Sequence, residues 1–345
     1  MNKGMNLYKV FCALGIVIFH ATFKAAGYLN LPDETNFFLV WFLMLGEIGV
    51  NGFFLISGFY LKENSFKVKK LIELFGILYF YKIFTYLAYC LTNNYSLGTD
   101  WDWFNFVNPG HGYWFFSAYI LLYILSPYTI KFFNTMSLKE NAKFILIISL
   151  IWIIVPSILG MKDNNPESFF YYSRFILGFI VQYIGIFLKK SNVLVVYRKQ
   201  IFLTLCLLLI FLQGWMFFFS NYDINSLQVR EDYWWRPNNI FTIGIAIGLM
   251  MFPINYKLPT WSPNFSSLAS TTLGIYLLHD SIWNKTLWTT ILKVTPNSSA
   301  SYILLVSLLI VLIAFIIDKI RQLIFKVIGQ LYTQTLYVTN KKDTA

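Results

Sequence analysis

The chain has 345 residues, of which 57% are hydrophobic and only 12% are charged. Soluble globular domains are usually about 25% charged, so this composition excludes an ordinary soluble protein and indicates a bilayer. The net charge of +11 does not indicate nucleic acid as a partner, because the lysines and arginines are concentrated in alternate loops between apolar stretches. The sequence predicts one all-α integral membrane domain over residues 1–330, followed by a short cytoplasmic tail at residues 331–345.

Ten apolar stretches have roughly the length needed to cross about 30 Å of hydrocarbon. They are residues 7–25, 37–61, 71–91, 113–133, 143–160, 170–188, 201–219, 239–254, 268–284 and 302–325. Under the positive-inside rule, the alternation of basic loops places both termini in the cytoplasm. We therefore expect a polytopic bundle of about ten helices in the plasma membrane, with the first stretch retained as a helix and not cleaved as a signal peptide.

The first stretch, LYKVFCALGIVIFH at residues 7–20, contains both Lys9 and His20. Eleven residues at 100° each bring these side chains to within about 20° of one helical face, about 16 Å apart along the axis. An ionisable residue inside a span usually faces the protein interior and indicates a functional site. His20 is therefore predicted to act as a general base, with a hydrogen-bonded core histidine as the alternative.

Five stretches resemble the membrane acyltransferase-3 family, in the same order and over nearly the whole chain. They are YKVFCALGIVIFH (8–20), GVNGFFLISGFYL (49–61), HGYWFFSAYILLYILSP (111–127), SRFILGFIVQYIGIFL (173–188) and TTLGIYLLH (271–279). The first helix of this family carries a basic residue, ten intervening residues and a histidine. Lys9 stands where the family usually has arginine. Glu73 stands where it commonly has a further arginine after a basic pair, here Lys69 and Lys70.

The resemblance implies transfer of an acyl group, usually acetyl, from cytoplasmic acyl-CoA to a hydroxyl of an extracytoplasmic sugar. Lys9, Lys69 and Lys70 are the predicted donor-binding residues, since cations pair with phosphates. Acyl-CoA is a substrate here, and neither a bound cofactor nor a metal is expected. The expected partners are the lipid bilayer and a glycan or lipid-linked sugar.

Glu47 and Arg174 are charged residues predicted near membrane depth. A carboxylate at Glu47, at a depth similar to that of His20, would fix the imidazole tautomer, whereas solvation at the interface is the alternative. Arg174 is predicted to stabilise an oxyanion or bind the acceptor, or else to reach the interface with its long side chain.

Three further residues are predicted to support the site. His279 and Tyr276 lie in the late family-like stretch, and a core hydrogen bond is the alternative role for His279. Ser57, next to Gly58, is expected to permit close packing of helices and not to act as a nucleophile.

The outer loops at 93–114 and 221–239 interleave tryptophan and tyrosine with aspartate, asparagine and arginine. Such a mixture can stack on and hydrogen-bond a sugar, and it is also typical of the aromatic belt at a membrane interface. The candidate acceptor-binding residues are Asp100, Trp101, Asp102, Trp103, Trp114, Trp234 and Trp235. His111 is interpreted as an ordinary loop histidine.

Many spans with long outer loops would also suit a transporter or flippase for lipid-linked glycans, or a polysaccharide polymerase. Transporters often show inverted repeats around a site at the membrane midplane, and no such repeat is recognisable in the sequence. Neither alternative requires the Lys9 to His20 spacing, which therefore favours the acyltransferase.

Overall fold

A computed structural model of the protein describes residues 3–25, 37–63, 66–98, 101–159, 173–220, 238–281, 283, 288, 291–295 and 298–342. Within these ranges all regular structure is helical. The predicted acceptor-site residues Asp100, Trp234 and Trp235 lie outside the described residues.

Fourteen α-helices are described, together with two π-helical turns at Ala21–Ala25 and Leu150–Ile154. The α-helices are α1 (Lys3–His20), α2 (Phe37–Phe59), α3 (Val68–Asn93), α4 (Trp103–Val107), α5 (Trp114–Thr135), α6 (Leu138–Ser149), α7 (Val155–Leu159), α8 (Arg174–Ser191), α9 (Val193–Val196), α10 (Arg198–Ser220), α11 (Ile240–Asn255), α12 (Ser266–Ala269), α13 (Thr272–His279) and α14 (Ala300–Lys342).

Each of the ten predicted stretches overlaps at least one of these helices, so the all-α prediction is confirmed. Five helices are long and apolar enough to cross a membrane: Lys3–Phe23, Trp41–Phe59, Val68–Asn93, Trp114–Thr135 and Ala300–Gln330. The stretches at 143–160 and 268–284 are instead divided among shorter helices. The protein is a multi-pass membrane protein, while the number ten and the cytoplasmic termini stay predictions.

The helix α1 packs against α2, α11, α13 and α14. Its approach to α2 is close because glycines face the contact on both helices. A Cβ atom on Gly49 would press on the Cys12 carbonyl and lie 3.0 Å from the Ile16 side chain. A Cβ atom on Gly15 would likewise lie 3.2 Å from the carbonyl carbon of Leu45. Small residues of this kind allow two membrane helices to bring their backbones together.

The segment from residue 260 to residue 280 runs parallel to α1. Lys3 Nζ donates hydrogen bonds to the Thr260 and Ser262 carbonyls at 3.1 and 3.2 Å. Two turns later, Lys9 Nζ donates to the Ala269 carbonyl at 3.3 Å. Because the residue numbers rise together along both segments, the end of α1 lies beside the end of α13.

The helix α13 is packed tightly against α3 and α14 at Gly274. A Cβ atom there would lie 2.8 Å from the Asp318 carboxyl carbon and would also press on the Tyr81 hydroxyl. These two groups are hydrogen-bonded to each other, since the Tyr81 hydroxyl donates to Asp318 Oδ1 at 2.8 Å. Arg321 Nε donates to the same oxygen at 2.7 Å, so the buried carboxylate is charge-paired. A side chain at position 274 would disrupt this network.

We expect Gly49→Ala to lower the free energy of unfolding by about 1–3 kcal/mol, because the added methyl group overpacks the contact between α1 and α2. The matched control is Gly214→Ala in α10, where a Cβ atom meets nothing within 4 Å. Because alanine has a higher helix propensity than glycine, the stability of that variant should be unchanged or greater by up to about 1 kcal/mol. Thermal unfolding in detergent measures both variants, and equal midpoints would contradict the close packing of α1 on α2.

Candidate active site

His20 is the last residue of α1 and is only 6% exposed. The π-helical turn Ala21–Ala25 follows it directly. Turns of this kind inside or beside α-helices are frequent at functional sites. The regular helix therefore ends at the residue that the sequence selects as the candidate base.

A carboxylate that the sequence analysis did not select lies beside His20. Asp280, at the end of α13, is 3% exposed, and its Oδ1 atom is 3.5 Å from His20 Nδ1. This separation is long for a hydrogen bond, but it places a carboxyl oxygen next to the ring in a buried environment. A carboxylate attracts an N–H group and repels a lone pair. The geometry therefore favours the His20 tautomer with hydrogen on Nδ1 and the lone pair on Nε2.

His279 completes the cluster from the other side. Its ring centroid is 4.9 Å from that of His20, and the residue is 1% exposed. His279 Nδ1 lies 2.6 Å from the Ile275 carbonyl oxygen. A carbonyl oxygen only accepts, so Nδ1 of His279 carries the hydrogen and Nε2 has the lone pair. His279 thus makes a core hydrogen bond and also lies at the candidate site, which combines the two roles considered for it.

Two tyrosines pack beside the histidines. The Tyr276 ring lies 6.1 Å from the His279 ring, and its hydroxyl interacts with Asp280. Tyr113 packs edge-on against Tyr276 at 6.0 Å and donates its hydroxyl hydrogen to the Leu277 carbonyl at 2.9 Å. These contacts hold the last turn of α13 against the start of α5.

The helix α3 contacts α13 at both ends. Near the start of α13, Tyr81 and its partner Asp318 lie against Gly274. Just beyond its end, the Ser281 hydroxyl donates to Thr85 Oγ1 at 2.9 Å. Tyr81 and Thr85 are one turn apart on α3, so one face of that helix positions the segment that presents His279 and Asp280.

Glu47 faces away from α1. Gly46, Gly49 and Gly52 define the face of α2 that packs on α1. On an ideal helix Glu47 lies about 160° from the centre of that face. The sequence suggests two roles for Glu47, as the carboxylate partner of His20 or as an interfacial residue, whereas the structure places Asp280 beside the His20 ring. Whether Glu47 contributes to catalysis in another way stays a prediction.

Glu47 belongs instead to a cluster with Arg174 and Trp114. It is 7% exposed and lies within electrostatic range of Arg174 at the start of α8. The Arg174 guanidinium carbon lies 4.5 Å from the centre of the Trp114 ring, which is a cation–π contact. Three predicted site residues are therefore brought together, but in a cluster separate from the described contacts of His20.

The predicted donor-binding lysines lie near one end of the bundle. Lys9 is half-buried, and its charge interacts with that of Lys70 at the start of α3. Lys70 Nζ also lies 3.2 Å from Glu73 Oε2, with both side chains about half exposed. Lys69 is exposed. Glu73, which departs from the family pattern, thus offsets part of the positive charge of the basic pair Lys69 and Lys70.

Ser57 lies at the contact between α2 and α8. Its hydroxyl donates to the Phe54 carbonyl at 2.7 Å and accepts from Gln182 Nε2 at 3.2 Å. A Cβ atom on the neighbouring Gly58 would press on the Gln182 carbonyl. These contacts correspond to the packing role that the sequence analysis gave to Ser57.

The outer loop contains the short helix α4, which is held at both ends. Asp102 Oδ1 accepts from the Phe104 N–H at 2.8 Å and caps the start of the helix. The Lys82 ammonium group binds three carbonyls at the other end, at 3.0, 2.8 and 2.7 Å, those of Asn105, Phe106 and Asn108. A cation at the C-terminal end of a helix is favourable, so Lys82 has a structural role in anchoring this loop.

A sequence signal for Asp280 exists. It is a carboxylate inside the apolar stretch 268–284. The rule that selected His20, that an ionisable residue within a span indicates a functional site, applies equally to Asp280. The family-like stretch TTLGIYLLH ends at His279, one residue before Asp280.

The fold and these contacts define a multi-pass membrane protein with a buried His–Asp–His cluster at the end of its first helix. A model of the acyltransferase-3 family, described as an acyltransferase domain, matches residues 2–319. The chain belongs to this family and is a membrane acyltransferase. Comparison with curated proteins and with solved structures finds no match.

We expect Lys82→Met to lower the free energy of unfolding by about 1–3 kcal/mol, because three carbonyls lose their buried donor. The matched control is Lys131→Met on the exposed face of α5, which should change stability by less than about 0.5 kcal/mol. Thermal unfolding of the purified variants measures the difference. A Lys82→Met variant as stable as the control would show that the ammonium group does not anchor α4.

Proposed function

We propose that this protein is a membrane O-acyltransferase that moves an acetyl group from cytoplasmic acetyl-CoA to a hydroxyl of an extracytoplasmic surface polysaccharide. Membership of the acyltransferase-3 family supports acyl transfer. The observation that carries the proposal is the buried contact of His20 with Asp280 and His279, at the end of the helix that also carries Lys9.

The spacing of two contacts supports a donor that extends along α1. Lys9 contacts Ala269, and His20 lies beside Asp280. Each pair of partners is eleven residues apart on its own segment, so Lys9 and His20 face the same neighbouring segment. In this proposal Lys9 and Lys70 bind the donor phosphates, and the thioester points along α1 toward His20.

The chemistry follows from the tautomer of His20. Nε2 of His20 removes the proton of the acceptor hydroxyl. At the same time, the hydroxyl oxygen attacks the carbonyl carbon of the thioester. The tetrahedral intermediate then breaks its C–S bond, and the imidazolium returns the proton to the thiolate, giving the ester and free CoA. Asp280 stabilises the imidazolium between these steps. An acyl group carried transiently on the same nitrogen would give the same products.

The second cluster supplies the proposed acceptor contacts. The exposed Arg174 guanidinium offers donors to an acceptor oxygen or to the developing oxyanion, and Trp114 holds it in place. Glu47 lies within electrostatic range of this guanidinium. This division assigns catalysis to the end of α1 and acceptor binding to the start of α8.

We expect His20→Ala to abolish O-acetylation and Asp280→Asn to lower it at least about 100-fold, the usual contribution of acid–base groups. Glu47→Gln should reduce it less than Asp280→Asn, because Glu47 faces away from α1. The assay is proton NMR of surface glycans before and after mild alkali, in deletion cells that carry each gene.

Three results would contradict this assignment. A normal acetyl signal with His20→Ala would show that His20 does not take part in the reaction. A larger loss of O-acetylation with Glu47→Gln than with Asp280→Asn would indicate that Glu47, and not Asp280, is the carboxylate that assists His20. Lost or shortened polymer with its acetyl content unchanged would indicate a transporter or polymerase.

We expect Lys9→Met to raise the KM for acetyl-CoA at least tenfold, because it removes a charge that pairs with phosphate, and Lys9→Arg to retain most of the affinity. The control is Lys3→Met, which removes a lysine from the first turn of the same helix. Initial rates of CoA release in isolated membranes, measured over a range of acetyl-CoA concentrations, give the KM of each variant. Equal KM values for Lys9→Met and Lys3→Met would show that Lys9 does not bind the donor.

A further inference from the structure

The segment that joins α8 to α10 is anchored to the bundle on one side. Asn192 ends α8 in the left-handed conformation, with φ of 54°. The single turn α9 follows, and its Leu194 side chain is buried in the hydrophobic core. Asn255 Nδ2, at the end of α11, donates to the Leu194 carbonyl at 2.8 Å. This segment is therefore a fixed part of the bundle surface.

The next three side chains are apolar and turned outward. Val195, Val196 and Tyr197 are 48%, 65% and 52% exposed. Tyr256, just beyond the end of α11, is exposed as well. Apolar and aromatic side chains next to basic ones are typical of segments that lie among the headgroups of a bilayer.

Basic residues flank these apolar side chains. Two lie in the last turn of α8, two begin α10, and one lies just beyond α11. All are exposed, and they are Lys189, Lys190, Arg198, Lys199 and Lys257. Residues 189–199, together with Tyr256 and Lys257, are named the basic connector.

The basic connector lies at the end of the bundle where α1 begins. The Lys189 ammonium group is 4.9 Å from the centre of the Phe59 ring, at the end of α2. A Cβ atom on Gly4, in the first turn of α1, would lie 3.1 Å from Pro253 near the end of α11. The positive-inside rule predicts this end on the cytoplasmic side, where the membrane surface is negatively charged.

Acidic side chains do not balance the charge of the basic connector. The sequence has no aspartate or glutamate from residue 168 to residue 222 or from residue 240 to residue 279. Among the described residues, no carboxylate lies within ion-pair distance of the five cations. Two of these cations also begin α10, where the helix dipole favours negative charge. An anion at this surface would therefore be stabilising.

We propose that the basic connector binds an anionic phospholipid of the cytoplasmic leaflet. The lysines and arginine pair with the headgroup phosphate, and Val195, Val196 and Tyr197 contact the acyl chains. A soluble phosphate compound would use only the charges. A lipid uses both the charges and the exposed apolar side chains, and the basic connector presents the two together on one anchored segment.

The test uses Arg198→Gln/Lys199→Gln, which removes two charges and keeps polar side chains. Full-length protein in detergent is titrated with dioleoyl phosphatidylglycerol or with dioleoyl phosphatidylcholine, and native mass spectrometry gives the Kd of each lipid. We expect wild type to bind the anionic lipid at least tenfold more tightly, and the double variant to bind it at least fivefold more weakly than wild type does. The matched control is Lys139→Gln/Lys143→Gln, two exposed lysines in α6 on either side of Glu140, and it should match wild type.

Three results would overturn the proposal. Equal affinity of wild type for the two lipids would show that the surface does not recognise the anionic headgroup. An equal loss in both double variants would indicate an effect of total charge. Binding of glycerol 3-phosphate as tight as that of phosphatidylglycerol would indicate a soluble phosphate ligand.

A second variant keeps the test decisive. Should Arg198→Gln/Lys199→Gln not fold, as judged by gel filtration, Lys190→Gln/Lys257→Gln replaces it. The same fivefold loss then supports the proposal, and an unchanged Kd overturns it. None of these measurements depends on acyl transfer.

Discussion

A titratable side chain is stable at membrane depth only where protein shields it from lipid. The helix α1 meets this condition because α2, α11, α13 and α14 pack around it. Its contact with α2 is close, since Gly15 and Gly49 leave no room for a side chain. The burial of His20 and the partial burial of Lys9 both follow from this packing, and the candidate site depends on it.

The carboxylate at the site depends on a second set of contacts. Asp280 terminates α13, a helix of eight residues that is too short to fix its own position. The helix α3 holds it at both ends, through the Tyr81 and Asp318 pair at Gly274 and through Thr85 at Ser281. A buried ionic network thus lies one helix away from the histidines and sets the place of their partner.

The two faces of α2 separate two groups of functional candidates. One face packs on α1 and supports the proposed catalytic cluster. The other carries Glu47, which lies near Arg174 and Trp114. The proposed base thus lies at the end of α1, the proposed donor-binding Lys9 lies near the start of the same helix, and the proposed acceptor contacts lie at the start of α8.

The sequence by itself determined the membrane class, the approximate positions of the long helices, and the placement of Lys9 and His20 on one face of α1. These properties depend on hydropathy and helical periodicity within a single segment. The tertiary structure alone decided that Asp280, 260 positions after His20, is its carboxylate neighbour and that Glu47 faces away. Periodicity shows which residues share a face, but packing between segments selects which faces meet.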